Sequence, residues 1–268
     1  MELSLYQLDA FSDAVFAGNP AAVCPLSAWP DDALMQAIAA ENNLAETAFF
    51  VPAAPGEVYD FDIRWFTPTI EVDLCGHATL ASAAVIFRHL GHAGDTVRFR
   101  ARGGALVARY LDGDPNGRIA LDFPAWPSDT VAVPPALAAA LGAEPESCRL
   151  GNYLMAVFAQ AVAVAALVPD MVALAAIDAP GIVATAPGTG GVDFVSRFFA
   201  PRLGVPEDPV TGSAHCQLVP YWAERRGRNA LEARQISPRG GALACRLDGA
   251  RVVMAGHVAE YMVGKIRV

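Results

Sequence analysis

The chain has 268 residues, 54% of them hydrophobic, with 23 glycines and 20 prolines; this suffices for one large core or two ordinary ones and suits many short strands and turns. The formal net charge is −9, and the densest basic run, Arg225-Arg226-Gly227-Arg228, is only four residues long and follows Glu224. Nucleic-acid binding requires a basic face, so that class is set aside, and an anionic substrate has to be held by a local site rather than drawn in by the surface field.

The predicted elements in chain order begin with a strand over residues 3–8. A helix opens at Pro30-Asp31-Asp32, where the two aspartates favour the first turn and Leu34, Ile38 and Leu44 form a rough apolar face. Strands follow over residues 47–51 and 61–66, short runs rich in aliphatic and aromatic side chains. A helix over residues 77–90 is apolar nearly all round and is therefore expected to be buried. Further strands are predicted over residues 96–102, 106–110 and 119–123. Phe123-Pro124-Ala125-Trp126-Pro127, with Pro134-Pro135 soon after, marks a domain boundary. We expect an N-terminal half over residues 1–126 and a C-terminal half over residues 127–268, with the last strand free to return to the first half.

The most apolar stretch, residues 156–168, contains Gln160 and stops at Pro169-Asp170. Spanning a bilayer takes about 20 apolar residues, so it is read as buried core and no membrane association is expected. A last helix runs over residues 213–226. Cys24, Cys75, Cys148, Cys216 and Cys245 form no CxxC pair and read as reduced thiols. The N-terminal Met-Glu-Leu-Ser-Leu-Tyr has neither the basic nor the apolar region of a secretory leader, which leads us to expect a cytoplasmic protein.

The two apolar helices start alike. Asp73-Leu-Cys-Gly76-His-Ala78 precedes one and Asp208-Pro-Val-Thr-Gly212-Ser-Ala214 the other, the two Gly-x-Ala units lying at 76 and 212; this is a weak internal repeat that suits two duplicated α/β halves. A helix start offers unpaired N–H groups and partial positive charge, and glycine allows close approach, so such ends bind carboxylates without lysine or arginine. The bland alternative is that each glycine eases a strand-to-helix turn. Asp73, Cys75 and His77 crowd the first junction, and Glu207, Asp208, Thr211, Ser213 and His215 the second. These are acid/base groups, yet His77 could bond only to backbone, Asp208 or Ser213 could cap a turn or helix, and Cys75 could be a small buried apolar residue. His89, His92 and His257 lie in unrelated contexts. No His/Cys/Asp set has metal-ligand spacing, and there is no Walker A loop or Rossmann fingerprint, so neither metal nor cofactor is expected.

Gly18-Asn-Pro-Ala-Ala-Val23, Asn43-Leu-Ala-Glu46-Thr-Ala-Phe49, Arg64-Trp-Phe-Thr-Pro68, Glu71-Val-Asp-Leu-Cys-Gly-His-Ala-Thr79 and Glu207-Asp-Pro-Val-Thr-Gly-Ser-Ala-His215 together resemble the PhzF-like family of phenazine-biosynthesis isomerases, in order and spacing. The resemblance implies a mixed α/β (α+β) fold like diaminopimelate epimerase: two pseudo-symmetric halves, each a curved, barrel-like sheet around a central helix, with the active site in the cleft. It implies that Glu46, on the turn after the first helix, transfers the proton, that His77 and Asp208 act beside it, and that Ser213 and Asn19 bind substrate. The helix-end argument adds the amides of Gly76 and Gly212 for the substrate carboxylate. A homodimer acting on a small carboxylate is also implied. The amino-acid epimerases of this superfamily use one cysteine from each half; here Cys75 stands at the first such place and Thr211 at the second, which disfavours a two-thiol racemase. The leading expectation is a cofactor-free proton shift by Glu46. The alternatives are epimerisation by Glu46 with Cys75, or a non-catalytic binding protein on the same fold.

Overall fold

The computed structural model describes residues 1–111 and 117–268. The chain forms two compact units, residues 1–122 with 255–268, and residues 123–254. In the first, β1 (Glu2–Ala10), β2 (Asn19–Pro25), α1 (Asp32–Asn42), β3 (Glu46–Pro52), β4 (Phe61–Phe66), β5 (Glu71–Val72), α2 (Gly76–His89), β6 (Thr96–Ala101), β7 (Gly104–Tyr110) and the start of β8 (Ile119–Pro124) follow in order. β1 is antiparallel to β2, β2 parallel to β3, and β3 antiparallel to β4. Five consecutive residues of β3, Thr47 to Val51, are buried, the continuous pattern of a strand covered on both faces. One cover is α1, whose Met35, Ile38 and Ala39 pack with Phe49 and Val51; the other is α2.

Every residue of α2 from His77 to Ile86 is buried. Its alanines let the strands approach closely, and its hydroxyls are satisfied within the helix. Thr79 Oγ1 and Ser82 Oγ donate to the carbonyls of Cys75 and Ala78, 2.6 and 2.7 Å away, so neither buries an unpaired polar group. Gly18, ahead of β2, has φ +70°, and a β-carbon there would lie 2.3 Å from the Ala10 carbonyl oxygen; only glycine fits this turn.

The second unit continues with β9 (Asp129–Val131), α3 (Leu137–Leu141), β10 (Ser147–Leu150), β11 (Leu154–Val157), α4 (Ala161–Ala165), α5 (Met171–Ala176), β12 (Ile182–Pro187), β13 (Phe194–Ala200), β14 (Val205–Asp208), α6 (Gly212–Arg226), β15 (Ala230–Gln235), β16 (Gly241–Asp248) and β17 (Arg251–Gly256). The last strand, β18 (Val258–Arg267), pairs antiparallel with β1 in the first unit. α6 carries Pro220 in its interior, which has no N–H to give to the Cys216 carbonyl one turn back. The backbone N–H of Trp126 donates to that carbonyl instead, at 2.9 Å, so the proline leaves no orphaned acceptor there.

Several expectations change. Leu44 is not on a helical face, because α1 ends at Asn42 and Asn43 caps it in the left-handed conformation. Glu46 is not on a turn but opens β3. The stretch over residues 156–168 is only partly core: Val164 and Leu167 are buried, whereas Val162 and Val168 are exposed, because the chain leaves β11 for α4, which lies at the surface on one side. Among the described residues no helix is long and apolar enough to cross a membrane.

Candidate functional site

Glu46 reaches its place through backbone register. The left-handed Asn43 turns the chain into β3, and Asn42 Nδ2 donates to Thr47 Oγ1 at 3.1 Å. Glu46 lies opposite Ala21 on β2, two residues beyond Asn19, which is fully buried at the same end of that strand. The Glu46 side chain is 20% exposed, yet its Oε2 is buried. That oxygen lies 3.1 Å from His77 Nε2, in a close ionic contact that is not well directed as a hydrogen bond; neither atom has another hydrogen-bond partner. The other face of the ring is engaged too, with His77 Nδ1 3.5 Å from Cys75 Sγ.

Cys75 is the N-cap of α2, in an extended conformation, and makes no side-chain cap bond. The amides of Gly76 and His77 therefore begin the helix without a capping acceptor from that residue, next to the positive end of the helix dipole. Burial, reinforced by the charge of Glu46, raises the Cys75 thiol above its ordinary pKa of 9.0, so it stays protonated. Burial disfavours charge on His77, but the Glu46 carboxylate beside it outweighs burial and raises the imidazole above its ordinary value of 6.5. Because the thiol is neutral, the carboxylate of Glu46 is the partner that holds the imidazolium. Glu46, Cys75 and His77 each place a donor atom within 4.8 Å of the others. To hold a metal there, the thiol and the imidazole would each have to give up a proton.

Asp73 is not part of this cluster. Its side chain is 67% exposed and faces Arg102 at 3.4 Å. What it contributes is backbone: its carbonyl accepts from the Gly103 N–H at 3.2 Å.

The second unit repeats the local plan with different chemistry. Thr211 is the N-cap of α6, extended and without a side-chain cap bond, and its hydroxyl donates instead to Asp208 Oδ2. Ser213 is therefore not the cap; it lies in the first turn, and its hydroxyl shares a 2.9 Å hydrogen bond with the Tyr153 hydroxyl, whose pKa burial raises. Gln235 ties the approach together. Its Oε1 accepts from the Thr211 N–H at 2.8 Å, and its Nε2 donates to the Asp208 carbonyl at 2.6 Å. His215 is fully buried, donates from Nδ1 to the Thr211 carbonyl at 2.8 Å, and is lowered by burial to a pKa of about 4. It is a neutral core residue.

The first unit thus brings together Glu46, His77, Gly76 and Cys75, and the second brings together Asp208, Gly212 and Ser213. Tyr153 and Gln235 were not singled out in the sequence. They come from 60 and 24 residues away from their partners, and no local pattern announces them.

A family model described as PhzC-PhzF, phenazine biosynthesis-like protein, matches residues 8–264. The chain is 49% identical over 267 residues to a protein of Pseudomonas aeruginosa named as an uncharacterized isomerase, with 99% of each chain covered. The crystal structure of a PhzF family phenazine biosynthesis protein from Enterococcus faecalis is similar with a TM-score of 0.94 and 42% identity, covering 100% of both chains. In fold alone, a hydroxyproline epimerase from Agrobacterium vitis is similar with a TM-score of 0.64 and 10% identity, over 99% of this chain and 92% of that one. With nearly its whole length matched and both its sequence and its fold shared, the chain belongs to the PhzC-PhzF family of phenazine biosynthesis-like proteins and is an isomerase.

Proposed function

We propose that the protein is a cofactor-independent isomerase that moves a proton between two carbons of a small carboxylic acid, with Glu46 removing and redelivering it. The observation that carries this reading is the Glu46–His77 contact. One carboxylate oxygen lies 3.1 Å from the buried His77 ring, and the side chain keeps a fifth of its surface exposed. A base held in one orientation with one face open is what carbon acid chemistry needs.

In the first unit the uncapped amides of Gly76 and His77 are assigned to the carboxylate and to the negative charge that develops as the proton leaves. In the second unit the uncapped amides of Gly212 and Ser213 form an equivalent anion-binding helix start. Asp208 is assigned a hydrogen bond to a polar group of the substrate, and Asn19 a supporting position beside Glu46. The neutral, buried Cys75 lacks the thiolate that an epimerase base requires, which favours a proton shift by Glu46 alone over epimerisation by the pair. The family resemblance supports a homodimer in the cytoplasm, which sedimentation and cell fractionation would check.

The test is a screen of small cyclic and amino carboxylic acids in D2O, followed by mass spectrometry and NMR. The wild type is expected to place deuterium at carbon in one of them. Glu46→Gln is expected to fold normally and lose turnover by about 10²–10⁴-fold or more. Turnover retained in Glu46→Gln would exclude the mechanism, and a product inverted at one stereocentre together with an inactive Cys75→Ser would turn the reading to epimerisation.

A further inference from the structure

Two arginine–glutamate pairs outside the proton-transfer cluster occupy matching places. Arg64 on β4 donates from Nε and Nη2 to the two carboxylate oxygens of Glu71, 2.8 Å each. Arg197 on β13 donates in the same way to Glu207, again 2.8 Å each. Both pairs are largely buried, with side chains 21% and 16% exposed in the first and 10% and 15% in the second. Each guanidinium also lies over the aromatic ring two residues further along its own strand, Phe66 at 5.2 Å and Phe199 at 5.0 Å.

The correspondence extends to the chain that follows. Each glutamate stands five residues before the glycine that starts the helix, 71 before 76 and 207 before 212. Each sits on a short strand antiparallel to the strand of its arginine, β5 on β4 and β14 on β13. Outside anchors hold both arginines. Arg64 Nη1 donates to Asp32 in the first turn of α1 at 2.8 Å, and Arg197 Nη1 donates to the Leu167 carbonyl at 2.8 Å. Only four residues separate Glu71 from Gly76, and Asp73 among them is pinned by its carbonyl to Gly103. A displacement of Glu71 therefore has little slack to absorb it before Cys75 and His77.

We infer that Arg64–Glu71 and Arg197–Glu207 are positioning pairs, each setting the approach to one glycine-led helix start, so that Arg64–Glu71 places His77 against Glu46 and Arg197–Glu207 places Asp208 and Ser213. This deepens, and rests on, the proton-transfer reading of those residues. A two-bond fork fixes direction as well as distance, which a single contact from a lysine does not. An ion pair of this burial gives orientation more dependably than net stability.

The experiment reads the ring of His77 by NMR in full-length protein carrying labelled histidine, without substrate, across pH. The groups facing that ring, Glu46 and Cys75, are left intact. Glu71→Gln and Arg64→Lys are each expected to lower the His77 titration by about one pH unit, a tenfold change in its protonation equilibrium. Arg64→Lys keeps every charge, so its shift reports geometry rather than lost field, and it serves if Glu71→Gln fails to fold. Glu207→Gln is expected to leave His77 unmoved and to shift the Tyr153 ring signals instead. An unchanged His77 titration in folded Arg64→Lys overturns the inference, as does an equal shift in Glu207→Gln, which would mean general loosening. Full turnover in Glu46→Gln would remove the proposed function but leave the His77 result standing.

Discussion

Replacing His215 with asparagine is expected to flatten the acid side of the stability curve. The ring is fully buried against Phe194, 5.8 Å between centroids; its Nδ1 proton is committed to the Thr211 carbonyl and its Nε2 has no partner. Burial lowers its pKa from 6.5 to about 4. Because the folded pKa is depressed, the unfolded chain takes up a proton below pH 6.5 while the native state refuses it until about pH 4. Stability is therefore full above pH 6.5 and falls through that window, by about 3 kcal/mol in total at about 1.4 kcal/mol per pH unit. The His215→Asn amide can still donate to the Thr211 carbonyl but does not titrate. Urea unfolding at pH 7 and pH 4.5 measures the loss for each protein against itself, so any fixed cost of the substitution cancels. The wild type should lose about 2–3 kcal/mol more than the variant. Losses equal within about 0.5 kcal/mol would mean that the native ring is charged or solvated, and the reading of His215 as a neutral core residue would fail.

His77 should behave in the opposite sense. Its folded pKa is raised by Glu46 against the opposing effect of burial, so its contribution is fully present below pH 6.5 and is lost as pH rises through the folded value. Melting temperatures from pH 6 to 10 should decline less steeply in His77→Gln than in the wild type. Arg197→Met would leave Glu207, only 15% exposed, without its cation, and the Leu167 carbonyl without its donor; chemical denaturation should show a loss of about 3–5 kcal/mol, and a loss below about 1 kcal/mol would show that the carboxylate finds water. Gly18→Ala should lower stability by at least about 1 kcal/mol through the positive φ alone, and by more as the new methyl group meets the Ala10 carbonyl oxygen; an unchanged melting curve would mean that the turn into β2 relaxes freely.

Elements with a strong local pattern were legible in the chain. β4 is recognisable as a short run of aliphatic and aromatic residues set between Asp60 and Pro68, and the two glycine-led helices because most of their length is buried and glycine, aspartate or proline stands at or before their starts. The strands of the second unit were not. β13 is buried at every position, so it shows no alternation. β11 pairs parallel with β12 across a connection containing α4 and α5, whose alanine- and valine-rich sequence serves helix and strand equally.

At the candidate site, residue chemistry and approximate place were written locally: Gly76 and Gly212 at helix starts, His77 one residue into α2, and Glu46 just beyond α1. Only the tertiary structure decided which groups meet. Asp73, Cys75 and His77 are equally crowded in sequence, yet Asp73, in the segment before α2 with its carbonyl tied to the Gly103 N–H, turns outward to Arg102, while Cys75 at the N-cap and His77 in the first turn meet each other in the interior. The register of β2 on β3 sets Glu46 at the end of the sheet, within 3.1 Å of a ring 31 residues further along the chain. Protonation states belong to the same category. His77 and His215 are both buried near the start of a glycine-led helix, but a carboxylate beside the first opposes the effect of burial and raises its pKa, whereas burial lowers that of the second, which has no carboxylate partner among the described residues to oppose it.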